Sequence, residues 1–194
     1  GYLSGQPAIF SVKPFPNPTP NIARKAAEQR AANGITTASE FAIMNAFILE
    51  GLQQATSSPD FPVRVVGGLF STVPDFEEIA PRLKHYENNL LKLPFIKTWT
   101  DGSIQGGTGL LTEGYHHHEM GGDGAQGDQA FFNKQLLRMY ELGYSPAIHA
   151  NGDGAVDVAL NAIEYAEKTL GDKVDKSIRP QIIHAQYTRP DQIE

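Results

Sequence analysis

Short β-branched runs alternate with helix-forming segments along this chain, and that alternation confines it to parallel β/α units. Five strands are predicted near residues 35–40, 62–70, 94–100, 144–150 and 180–187. Each is brief and rich in Val, Ile or Thr, as buried strands are. The spacing predicts helices over Asn21–Asn33, Phe41–Thr56, Asp75–Leu91, Gln129–Leu142 and Gly154–Leu170. Thr19-Pro20 opens the first as a cap followed by proline, and Gly34 closes it as a C′ glycine. Thr188 reads as the cap of a helix that barely begins. Residues 1–20 hold five of the thirteen prolines and read as an extended entry, with one domain over 21–194. A long Gly-rich stretch, Asp101–Asp128, shows no period of either kind; loops of that length in compact domains are usually functional or disordered.

Two architectures satisfy five such units: an open doubly wound sheet, or an excerpt of a (β/α)8 barrel, which when closed needs eight strands and about 250 residues. Composition narrows the function rather than the fold. A net charge of −6 offers no basic footprint for nucleic acid, and no run approaches the roughly 18 apolar residues that cross a bilayer. No targeting signal is readable, which leaves the cytoplasm as the default compartment. The 194 residues contain no cysteine, so a metal ion must be held by nitrogen and oxygen, for which six histidines and 22 carboxylates are available.

Three predicted strands end in a residue that binds metals or moves protons. Ala147-Ile-His149-Ala-Asn-Gly-Asp153 is an apolar strand with its histidine at the C-terminal end, and Gln181-Ile-Ile-His184-Ala-Gln repeats the arrangement one unit later. Lys97 holds the comparable place in Phe95-Ile-Lys97-Thr-Trp-Thr-Asp101. Neighbouring parallel strands lie ~4.8 Å apart, so matching positions face one cavity at the pole where barrel enzymes build their sites. Singly, each has a plainer reading: a hydrogen-bonded strand-end histidine, or a lysine whose stem lies along apolar surface while its ammonium reaches water. The three together, on consecutive strands, are hard to assign to packing.

Gly34-Ile-Thr-Thr-Ala-Ser-Glu40, Ile96-Lys-Thr-Trp-Thr-Asp-Gly-Ser103, His149-Ala-Asn-Gly-Asp153 and Ile183-His-Ala-Gln186, taken in order, resemble the amidohydrolase superfamily, in the branch that includes N-substituted formamide deformylases. The resemblance implies an α/β fold, a TIM (β/α)8 barrel of which this chain is about strands two to six. It implies one or two divalent ions, usually zinc, held by Lys97 (often carboxylated), His149 and His184. The family's His-x-His on the first strand and its Asp base on the eighth have no counterpart here, so no catalytic base is assigned. The implied activity is hydrolysis of an amide or related non-peptide C–N bond of a small molecule by metal-activated water, and it belongs to the intact parent barrel.

Asp101, Glu40 and Gln186 are candidate substrate contacts, although supporting a neighbouring ligand or capping a helix suits the two carboxylates at least as well. Gln186 shares the face of His184 if the strand is regular. Asp153 reads as a helix cap. The family's arginines are replaced by Gly107 and Gly154, which leaves substrate identity open. His116-His-His118 reads as a solvated loop with adventitious metal affinity. Two other readings compete: an inactive fragment or binding module of the same fold, and a phosphate-binding barrel using the 101–109 loop. Exposed strand edges and uncovered apolar faces favour self-association.

Overall fold

A computed structural model describes residues 20–116 and 128–193. Most of the entry segment, the Thr19 cap, His117 and His118 lie outside them. The chain divides into two compact units, residues 15–97 and residues 98–194.

In the first unit, α1 (Pro20–Ala32) ends just before Gly34, whose φ of +79° is the left-handed turn predicted for it. Strand β1 (Thr37–Ile43) pairs in parallel with β2 (Arg64–Phe70), which pairs in parallel with β3 (Leu91–Trp99). Helix α2 is Ala46–Thr56, shorter than the predicted Phe41–Thr56. The reason is local. Asn45 accepts a hydrogen bond from the amide of Ile48 at 2.8 Å, so the helix begins there and Phe41–Ile43 extend the strand instead. Their apolar spacing comes from core contacts: Ile43 is fully buried, and Phe41 meets Phe95 edge-on with ring centres 5.3 Å apart.

The predicted Asp75–Leu91 helix is also cut down, to α3 (Phe76–Ile79) and a 3-10 turn over Ala80–Tyr86. Pro81 lacks the amide that an α-helix would need. Leu91 instead opens β3, whose Leu91, Leu93 and Ile96 are buried completely. A Cβ at Gly67 would lie 2.8 Å from both Ile43 and Leu93, which explains glycine in the middle of β2.

The second unit begins with the last residues of β3 and continues with α4 (Gln129–Glu141), β4 (Ser145–Ala150), α5 (Asp153–Leu170) and β5 (Gln181–His184). Short 3-10 turns follow α5 (Gly171–Lys173) and β5 (Pro190–Gln192). Strands β4 and β5 are parallel, with Ala150 opposite His184 and His149 opposite Ile183. The buried face of α5 is Ala155, Val156, Val158, Ala159, Ala162 and Ala166, small residues that let its axis approach closely. Ala150, Ala155 and Val156 form a core against which Leu110 and Ile182 pack. Helices α4 and α5 are tied by Tyr140, whose hydroxyl donates to Glu167 at 3.0 Å. No described helix is long and apolar enough to cross a membrane.

Two substitutions test this assignment by urea unfolding. Leu69→Ala, at a fully buried β2 position, is expected to cost about 2–5 kcal/mol. Asn45→Ala is expected to cost about 1 kcal/mol, because it removes the cap that separates β1 from α2.

Candidate metal centre

His149 and His184 stand at the ends of β4 and β5, and their rings meet edge to face with centres 4.6 Å apart. The register alone does not bring them together. His149 is opposite Ile183, so a regular β5 would send His184 to the other face of the sheet. The backbone breaks that alternation: His184 has φ +75° and Ala185 φ +46°, consecutive left-handed residues that are not glycine. That conformation costs about 1–2 kcal/mol per residue. It is held by hydrogen bonds from the Ala185 amide to Ala150 (2.9 Å) and from the Tyr187 amide to Asn151 (2.9 Å). The predicted strand 180–187 therefore stops at His184. Gln186 lies beyond the break and is exposed, so the regular strand that was to align it with His184 is absent.

The tautomer of His149 follows from its contacts. Nε2 lies 2.6 Å from the carbonyl oxygen of Gly102, a separation that requires a proton between them. The Asn151 side-chain amide donates to the same oxygen at 2.7 Å and sits 3.1 Å from Nε2. In the neutral ring, a proton on Nε2 leaves Nδ1 as the nitrogen with a lone pair.

Asp101 is the anchor beneath this histidine. Its carboxylate is wholly buried and accepts the amides of Asn151 (2.9 Å), Gly152 (2.7 Å) and Leu110 (3.0 Å), with His149 Nε2 at 3.4 Å. Burial pushes its pKa up, but the hydrogen bonds from His149 and from these three amides outweigh burial and hold it below the ordinary carboxylate value. Of the two roles open to it in the sequence, the structure places this carboxylate on backbone amides. Thr100 adds a further tie, its amide and hydroxyl both donating to the His149 carbonyl, at 2.8 and 3.0 Å.

Asp153 is the first residue of α5 rather than its cap, a position held by Gly152. Its carboxylate accepts the Thr112 amide at 3.0 Å and the Thr112 hydroxyl, and an Arg189 N–H at 3.1 Å. Arg189 spends its remaining N–H groups on Asp157 and Asp191, at 3.0–3.1 Å. Thr112, Asn151, Asp157 and Arg189 were not singled out from the sequence. A signal for Arg189 was nevertheless present. Asp153 and Asp157 form an i, i+4 like-charge pair, which a helix tolerates poorly without a cation.

Lys97 and Glu40 belong to the first unit. Lys97 is buried on β3, and burial lowers its amine pKa to about 8. Glu40 is half-buried on β1 beside the register break that ends at Ile43. His116 is exposed. Gly107 has φ +65°, so the backbone itself accounts for glycine there.

The described part of the Gly-rich loop is closed on itself. The amides of Gly102, Ser103, Gly106, Gly107, Thr108 and Gly109 donate to Thr108, Ser103, Ile104 or Tyr115, and that of Leu110 to Asp101. Each of these amides therefore already has an acceptor.

As a ligand set, the two imidazoles suit a borderline divalent ion, since neutral ring nitrogens are typical zinc donors. Among the described residues no three His, Asp or Glu side chains converge on one point, so these donors fit a metal as part of a set.

The paired histidines thus stand at the C-terminal ends of neighbouring parallel strands in an α/β fold. The chain belongs to the amidohydrolase family, whose sequence pattern it matches over residues 20–194. Its fold is similar to those of two uncharacterized metal-dependent hydrolases. The structure from Pyrococcus furiosus is 24% identical with a TM-score of 0.69, and the alignment covers 95% of this chain and 37% of that one. The structure from Pyrococcus horikoshii OT3 is 22% identical with a TM-score of 0.68, covering 95% and 36%. This chain thus spans little more than a third of those hydrolases, and its parallel β/α succession is that of a partial barrel. No curated protein matches it.

Asp101→Ala strips three backbone amides of their acceptor and is expected to cost upward of about 3 kcal/mol in urea unfolding. The acid limb carries the same information. Because the folded-state pKa of Asp101 is depressed, its contribution is present above the unfolded carboxylate value and disappears as pH falls through the folded one. Asp101→Asn should therefore flatten the fall in stability on the acid side of the ordinary carboxylate value.

Proposed function

We propose that this chain is the portion of a metal-dependent amidohydrolase that supplies His149 and His184 as metal ligands, acting on an amide or related non-peptide C–N bond of a small molecule. The observation that carries the reading is the histidine pair. A strained backbone sets the rings edge to face at 4.6 Å, and the proton of His149 is committed to Gly102. Membership of the amidohydrolase family supports hydrolysis as the reaction type.

A divalent ion, zinc by donor chemistry, would supply an activated water and polarise the scissile carbonyl. The chain's own residues do the rest. His149 offers Nδ1 because Gly102 holds the proton on Nε2. Asp101 fixes the turn carrying Asn151 and Gly152, so that the imidazole cannot swing away. His184 is presented by the left-handed break at the end of β5.

Lys97 takes its ligand role from its motif, Ile96-Lys-Thr-Trp-Thr-Asp101. An amine whose pKa is lowered to about 8 is partly neutral near pH 7.5. The neutral amine can add carbon dioxide, forming a nitrogen–carbon bond and releasing one proton, to leave a carbamate. That anion would accommodate one ion or bridge two. Glu40 and Gln186 remain proposed substrate contacts, and cytoplasmic location and self-association remain proposals from the sequence.

The full-length protein should bind zinc stoichiometrically by elemental analysis and hydrolyse N-substituted amides. His149→Ala or His184→Ala should remove the metal and lower kcat/KM by at least about a thousandfold. Wild-type zinc content and undiminished hydrolysis in both variants would reject the reading. For Lys97, carbon-13 bicarbonate should yield a carbamate resonance in the wild type that is lost in Lys97→Arg.

A further inference from the structure

We infer that Arg189 is a positioning residue: with Asp153 and Thr112 it forms a brace that holds the loop after β3, the turn after β4 and the exit from β5 in one geometry. The inference rests on the metal-hydrolase reading for its purpose, but its geometry is independent of it.

Three segments meet at the Asp153 carboxylate. The loop after β3 arrives as Thr112, whose amide and hydroxyl both donate to Asp153. The turn after β4 contributes Asp153 itself, four residues beyond His149. The exit from β5 arrives as Arg189, five residues beyond His184, with one N–H on Asp153 at 3.1 Å. Gln192 reinforces the same junction, its amide donating to the Asp153 carbonyl at 2.8 Å and to Asp157 at 2.6 Å.

Charge requires the arginine. Asp153 and Asp157 are one helical turn apart, and the planar guanidinium reaches both while binding Asp191 with its other edge. Burial pushes the Asp153 carboxyl up, but the hydrogen bonds from Thr112 and Arg189 outweigh it and keep the group ionised as an acceptor. Without the cation, two carboxylates would face each other at the start of α5, and Asp153 would turn toward water and release Thr112.

The brace acts on the histidines from both sides. From Thr112 the strap runs back to Leu110, whose carbonyl accepts the Ala155 amide and whose own amide binds Asp101 beneath His149. The fit at this crossing is close: a Cβ at Gly152 would lie 2.0 Å from the Leu110 oxygen. From Arg189 the chain runs back through Thr188, whose hydroxyl donates to the Ala185 carbonyl at 2.8 Å, within the left-handed pair that presents His184. A shift of Arg189 therefore changes the spacing of the two rings, although it touches neither.

The test uses the full-length protein with Arg189→Ala, Arg189→Lys, Thr112→Val and Thr112→Ser. Two quantities are measured: amide hydrogen exchange over residues 101–115, and zinc affinity by competition with a chromophoric chelator. Arg189→Ala and Thr112→Val should speed exchange in that loop and weaken zinc binding about 10–100-fold. Thr112→Ser should restore both, whereas Arg189→Lys should not, because an ammonium cannot bridge two carboxylates as a fork. If Arg189→Ala fails to fold, the Val and Ser pair at Thr112 decides. Variants that lose melting temperature yet keep wild-type loop exchange and zinc affinity would reduce the brace to a stability element and overturn the inference. A wild-type protein that binds no zinc would instead reject the metal-hydrolase reading, and unchanged loop exchange in Thr112→Val would then overturn the brace on its own.

Discussion

Everything around the histidine pair depends on one buried carboxylate. The Asp101 side chain has no exposed surface, and its two oxygens accept amides from Asn151, Gly152 and Leu110. A buried charge is tolerated only when it is paired or fully hydrogen-bonded, and here the backbone supplies the donors. The arrangement runs both ways. The amides stabilise the anion, and the anion fixes two segments that have no regular structure of their own. Gly102, next in the chain, turns its carbonyl to His149 and so selects the tautomer.

These bonds hold the described part of the long Gly-rich loop, up to residue 116, beside the histidine pair. Its described part is closed by its own Ser, Thr and Tyr oxygens, then strapped by Asp101 on one side and Asp153 on the other. Glycines at 102 and 152 are needed because backbone passes close to backbone there. A Cβ at Gly102 would fall 2.9 Å from the Thr108 carbonyl oxygen and closer still to its side chain. The amides of Gly102, Ser103, Gly106, Gly107, Thr108 and Gly109 are consumed in forming this shape.

Much of this was legible in the sequence, and the failures have physical causes. The five strands and their parallel sense were readable from β-branched runs between helices. So was the placement of His149 and His184 at the ends of apolar strands. Phe41–Ile43 were misread as helix because apolar residues serving two neighbours mimic a helical period; the Asn45 cap was the deciding detail. The Asp75–Leu91 helix ignored Pro81. Gln186 was tied to His184 by strand alternation, which fails once His184 and Ala185 turn left-handed, a conformation that no propensity signals for histidine or alanine. The Asp153/Asp157 pair signals the need for a cation, but that Arg189 supplies it, 36 residues from Asp153, shows only in three dimensions.

The central claim is that the fold prepares His149 to offer Nδ1 and holds His184 beside it. Long-range proton–nitrogen NMR correlation on the full-length protein, before and after addition of zinc, tests it most directly. The account predicts His149 protonated at Nε2 without metal, and a shift of its Nδ1 resonance together with those of the His184 ring when zinc is added. A proton on Nδ1 of His149, or ring nitrogens of both residues that ignore zinc, would contradict it.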